Sequence, residues 1–167
     1  MSKLVLSQQW RLCYAGVPQS KDEEAEYRKC FKSIGDFTSV QEFTEKFQFV
    51  ERPSALPQKT GYCLMKNTIL PMYEDEAHDN NGASRVRLTT GSPDQNDILW
   101  EKLVVGVLTG LFSHPSFTGI ETRKNDRGEF CAVWMIGKQQ VQDEGMKMLK
   151  EFLGVPEGFA LSIQRQK

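Results

Sequence analysis

The 167-residue chain has no apolar run approaching the ~20 residues that span a bilayer, and Met1 to Leu6 carry no signal-peptide core. A soluble chain with no membrane attachment is therefore expected. Excess charge of one sign is also lacking. Lys and Arg total 21 against 22 Asp and Glu, which excludes a broad basic coat for nucleic acid but leaves room for recognition of one nucleotide by a few placed groups. Histidine is scarce: only His78 and His114 occur, so neither a metal site nor a cofactor is expected. The four cysteines, Cys13, Cys30, Cys63 and Cys131, form no C-x-x-C pair. Each lies in an alternating apolar stretch, which suits small core residues in a reducing compartment better than a disulfide framework. Missing too are G-x-S-x-G, G-x-x-x-x-G-K-[ST], H-E-x-x-H and G-x-G-x-x-G, so the expectation is a binding domain and not an enzyme. With no repeat and no low-complexity linker, residues 1–167 read as a single domain.

What is present is strong local punctuation. Ser39 with Glu42 makes a capping box ahead of Val40, Phe43 and Phe47 at helical spacing. Ser92-Pro93 with Gln95 starts a second helix carrying Leu99, Trp100, Leu103, Val104, Val107, Leu108 and Leu111. A third helix is expected over 139–153, stopped by Gly154 and Pro156. Between them the period changes to two, predicting strands at 10–14, 27–34, 61–66, 85–90, 117–123, 130–136 and 159–163. Asn125-Asp126-Arg127-Gly128 is a hairpin turn. Polar stretches 19–26 and 74–84 read as exposed, mobile connections. Strands without a regular βαβ alternation imply α+β: one curved, mostly antiparallel sheet of seven to eight strands, with three helices on its convex face.

Within the second polar stretch, Pro71-Met72-Tyr73-Glu74-Asp75 puts an aromatic ring directly before an acidic pair. That segment resembles the P-M-W-E-D signature of the eukaryotic translation initiation factor 4E family, which binds the 7-methylguanosine cap of messenger RNA. The resemblance extends in order along roughly residues 4–164: Trp10 with Tyr14, Phe37-x-x-Val40-x-x-Phe43, Asp97-x-x-Trp100, Trp134, and Leu153-Gly154-Val155-Pro156. It implies a cap held between Tyr27 and Tyr73, where the family usually has tryptophan, with Trp134 facing the methyl group. Glu74 would accept from the guanine N1–H and amino group, and the Tyr73 amide would donate to the base oxygen. A methylated guanine carries positive charge, so stacking against aromatic faces is physically apt. For the triphosphate the resemblance implies Arg123. Phe130 stands where the family has a second basic residue, so Arg127 and then Lys124 are the expected substitutes, with Arg85 and Arg87 alternating onto one strand face.

The family's convex surface docks a helix from a scaffold or repressor protein. Leu6 and Val40 match that surface, whereas Thr44 stands in place of a tryptophan and Glu101 in place of a leucine. A partner would therefore use a shifted contact set. The implied function is cap binding in translation initiation or its regulation, by a cytoplasmic monomer with a nuclear pool. Two alternatives are a relative that has lost the cap and serves as a protein scaffold, and a hydrolase holding Mg²⁺ on Glu74, Asp75 and Glu76.

Overall fold

Alternation along each strand sorts the chain into one sheet with two unlike faces. The computed structural model describes residues 4–17, 27–154 and 160–166. Seven strands, β1 (Val5–Ala15), β2 (Phe31–Ser39), β3 (Gly61–Lys66), β4 (Ser84–Thr90), β5 (Phe117–Asn125), β6 (Gly128–Met135) and β7 (Leu161–Gln166), pair in the order β2-β1-β3-β5-β6-β4-β7. Every neighbouring pair is antiparallel, so the expected mixture is in fact uniform.

One face takes Leu12, Leu64, Val86, Leu88, Ile120 and Val133 into a single core with the helices. Those helices are α1 (Val40–Phe47), α2 (Pro93–Thr109) and α3 (Gln139–Leu153). Leu99, Trp100, Leu103 and Val104 come from α2, and Leu149 and Leu153 from α3. Local capping sets where two of them begin. The Ser39 hydroxyl accepts from the Glu42 amide at 3.2 Å while Glu42 accepts from Thr38 N–H at 3.2 Å. Ser92 accepts from the Gln95 amide at 3.2 Å, and Gln95 answers by accepting from Gly91 N–H at 2.9 Å. Gly110 and Gly154 end α2 and α3 at positive φ, which glycine adopts without a Cβ penalty.

The opposite face carries none of these three helices. It holds a small apolar floor of Cys13, Cys63, Met65 and Trp134, overlaid by Phe31 and Ile69, beside the charged residues of β4 and β5. That open face is where the candidate site lies.

Three expectations change. Tyr27 does not begin a strand: Tyr27 and Arg28 form a helical turn, in which Cys30 N–H bonds to the Tyr27 carbonyl at 3.1 Å, and β2 starts at Phe31. The turn lifts Tyr27 out of the sheet plane. The stretch after Tyr73 is also not a loose loop. Its turns close on themselves through Asp75 N–H to Met72 O, His78 N–H to Asp75 O and Asn81 N–H to His78 O, and Gly137 N–H ties it to β6 through Asn81 O. The last strand runs to Gln166, beyond the predicted 163, while Phe159 and the polar stretch 19–26 lie outside the described residues.

Candidate functional site

At the centre of the open face sits a carboxylate. Glu121 on β5 is 1% exposed. It accepts from the Trp134 indole N–H at 3.2 Å and from an Arg85 Nη1 at 3.4 Å, and its second oxygen lies 3.5 Å from Arg123 Nε. A buried charge is tolerable only when paired and hydrogen-bonded, and this one has three donors from three strands. Arg85 is held on its far side by Gln166 Oε1, at 2.9 and 3.2 Å. Arg123 donates to the Tyr27 hydroxyl at 3.3 Å and covers the Phe31 ring at 5.4 Å.

Aromatic rings surround this cluster. Tyr27 meets Phe31 edge-on at 5.4 Å, and Tyr73 meets Trp134 edge-on at 4.8 Å. Burial raises the pKa of both phenols, and both sense the charges of Arg85 and Glu121, so the two tyrosines face the same cluster. Tyr73 donates its hydroxyl to the Gln166 carbonyl at 3.2 Å. Its ring leans on the indole, so a flat ligand placed there displaces the tyrosine edge. Trp134 itself is 1% exposed, with His78 stacked on it at 4.8 Å and 15°. His78 Nδ1 lies 2.8 Å from the Met72 carbonyl, which can only accept, and Nε2 lies 2.8 Å from the Thr118 hydroxyl. Burial lowers the His78 pKa, consistent with a neutral ring whose Nδ1 carries the proton.

The acidic run divides by role. Asp75 is buried and accepts from the Leu70 amide and the Ala77 amide, each at 3.0 Å, which shapes the turn. Glu74 and Glu76 are exposed. The three carboxylates therefore do not converge, and among the described residues no group of three or more His, Cys, Asp or Glu could hold a metal ion. Arg28 donates to the Glu74 carbonyl at 2.9 Å and stands 3.8 Å from Asp75. It ties the Tyr27 turn to the Tyr73 turn and so fixes the separation of the two tyrosines.

Among the cations, Arg123, Arg85 and Arg87 share the open face, and Arg127 in the β5–β6 turn is close enough for its charge to act on Arg87. Lys124 does not belong with them. Its ammonium donates to the Ser54 and Leu56 carbonyls at 2.9 and 3.2 Å and pairs with Glu129 at 3.4 Å, all on the helix side. Successive strand residues point to opposite faces, so the neighbour of Arg123 is turned away from the site.

The convex surface also differs from expectation. Leu6 is in the core, and the exposed apolar residues of that segment are Leu4 and Val5. Thr44 bonds its hydroxyl to the Val40 carbonyl at 2.9 Å, and Glu101 faces Arg52 at 3.5 Å. Ile98 and Val105 on α2 are exposed beside Glu101, a pair hidden in the sequence because α2 is apolar on nearly every side. Glu121, Arg28 and His78 were also hidden. Of these Glu121 had a signal, a lone acid sharing strand parity with Arg123.

Comparison with known proteins gives a consistent placement. The family model for eukaryotic initiation factor 4E matches residues 5–167. Eukaryotic translation initiation factor 4E-1 of Lactuca sativa is 26% identical over 140 residues, covering 82% of this chain and 58% of the relative. The chain spans about half the length of the curated relatives it matches. Among solved structures, C. elegans eIF4E-3 in complex with the 4E-binding protein Mextli and a cap analog aligns with a TM-score of 0.78 at 20% identity, over 98% of this chain and 92% of that one. Ascaris suum eIF4E-3 with the m2,2,7G cap aligns at 0.78 and 22% identity, over 98% and 91%. At those identities the structural likeness establishes the shared fold.

Proposed function

The chain belongs to the eukaryotic initiation factor 4E family, and on that premise we propose that its open face binds the 7-methylguanosine cap of messenger RNA in translation initiation or its regulation. The observation that carries this reading is one cluster: Tyr27, Tyr73 and Trp134 gathered around Glu121, Arg85 and Arg123, with the exposed Glu74 at its rim. A cationic base stacks on the tyrosines, with the Tyr73 edge swinging off Trp134 to admit it. Arg123 and Arg85 receive the phosphates, with Arg127 adding charge from the turn. The cytoplasm is the proposed place of action, with a nuclear pool. On the convex face the proposed partner is a helix of a scaffold or repressor protein, lying on Val40 and Val105 in place of the missing tryptophan contact.

Methylation supplies the charge that the rings sense, so 7-methyl-GTP should bind at least ~1 kcal/mol more tightly than GTP. Tryptophan fluorescence reports it, because Trp134 lies on the open face while Trp10 and Trp100 lie in the helix-side core. Equal affinities for the two nucleotides would end this reading.

Glu74 and Asp75 should separate cleanly. Glu74→Gln removes a charge-assisted hydrogen bond to guanine, worth about 1.5–3 kcal/mol of affinity, and leaves the unfolding midpoint in place. Asp75→Asn disturbs a turn acceptor and lowers the midpoint. If Asp75→Asn alone weakened binding at unchanged stability, the two roles would be reversed.

A further inference from the structure

Beyond the cap nucleotide, we propose that Arg87 and Phe130 form a stacking platform for the base of the nucleotide that follows the triphosphate. The inference rests on the cap-binding reading and extends it along the open face. Arg87 on β4 and Phe130 on β6 share that face with Arg85 and Trp134, since Arg85 pairs with Trp134 and Arg87 with Ala132 across the two strands. The Arg87 guanidinium carbon lies 3.8 Å from the Phe130 ring centroid, which is van der Waals contact, whereas Arg85 is 5.6 Å from the same ring.

That geometry covers one face of the Arg87 guanidinium with the phenyl ring and turns one N–H inward. Its Nε is a buried atom with no hydrogen-bond partner, and among the described residues no carboxylate forms an ion pair with Arg87. Burial, then Arg85, pull its pKa down against an upward pull from Glu121, and Arg127 adds the smallest downward contribution. An arginine so placed has one face on the phenyl ring, no carboxylate partner among the described residues, and a second flat face to offer. A nucleobase supplies a π-face of matching shape, and guanidinium planes stack on bases in single-stranded recognition. Phosphate is the weaker candidate, because it needs N–H edges, and the edges that converge on this face belong to Arg85 and Arg123 at Glu121.

Spacing agrees. Phe130 and Trp134 are four residues apart on β6, about 13 Å at about 3.3 Å per residue. With the methylated base at Trp134 and the triphosphate on Arg85 and Arg123, the next nucleoside arrives over Arg87. Between the two rings stands the Arg85 guanidinium, 5.6 Å from Phe130 and 5.9 Å from Trp134, where it meets the bridging phosphates, and neighbouring Ala132 adds no bulk there.

The test compares 7-methyl-GpppA with the 7-methyl-Gppp-ribose analogue, which carries the same phosphates without the second base. The wild-type chain should bind the adenine compound roughly fivefold or more tightly, the scale of one base stack. Arg87→Lys keeps the charge and loses the plane, and Phe130→Leu keeps an apolar support and loses the ring. Each should abolish the difference while leaving affinity for the ribose analogue within about twofold, as expected if stacking is the lost term. Should Phe130→Leu fail to fold, Arg87→Lys decides the matter alone. Equal wild-type affinities for the two compounds would overturn the platform, as would an Arg87→Lys variant that loses both equally. Loss of 7-methyl-GTP binding in the wild type is a different result, which removes the cap reading and this inference with it.

Discussion

Trp134→Ala is expected to cost about 3–5 kcal/mol of folding stability, the range for truncating a buried aromatic. The indole is 1% exposed, stacked on His78, met edge-on by Tyr73 and bonded through its N–H to Glu121. Truncation leaves a cavity between His78 and Tyr73 and removes one of the three donors on a buried carboxylate. Trp134→Phe separates those terms. It keeps a ring against His78 but loses the N–H donor and part of the indole's volume, so it should cost about 1–3 kcal/mol. Urea unfolding measures both, with the midpoint falling and the slope unchanged. An Ala variant within about 0.5 kcal/mol of wild type would mean that the indole is not packed against these partners.

How much of this was legible depended on whether the determinant was local. Ser39 with Glu42, and Ser92 with Pro93 and Gln95, mark their helices because a cap is a contact between residues three apart. The strands were readable from alternation, and the family resemblance supplied the roles proposed for Tyr27, Tyr73, Glu74 and Trp134. Lys124 was a misreading of parity: adjacency to Arg123 suggested a shared site, but a strand sends neighbours to opposite faces. Tyr27 was misread for the opposite reason, since the period-two pattern of 27–34 continues smoothly through a turn made by one backbone bond, Cys30 to Tyr27. Asp75 and His78 hid inside a hydrophilic stretch. Their partners are backbone groups and Thr118, which composition does not reveal. Glu121 hid because its meaning comes from three strands brought together only in the sheet.

Glu121→Gln should weaken the free protein and strengthen its hold on phosphates. In the folded chain Arg85 and Arg123 keep only 26% and 16% of their side chains exposed, with Glu121 between them. Neutralising it leaves two like charges partly desolvated. Removing one partner of a buried pair costs up to about 3–5 kcal/mol, reduced here to roughly 1–3 kcal/mol because both arginines retain some water contact. Glutamine still offers an oxygen to the Trp134 N–H, so the indole keeps its placement. A triphosphate competes with the Glu121 carboxylate for the same guanidinium N–H groups, and the substitution removes that competitor. The variant should therefore melt at lower temperature without ligand, yet gain more from 7-methyl-GTP than the wild type does, since ligand stabilisation grows as RT ln(1 + [L]/Kd). The nucleoside 7-methylguanosine, which has no phosphate, should stabilise both proteins equally. A loss of affinity of similar size for nucleoside and nucleotide would instead mean that Glu121 acts by positioning Trp134, because the base alone would then feel the change.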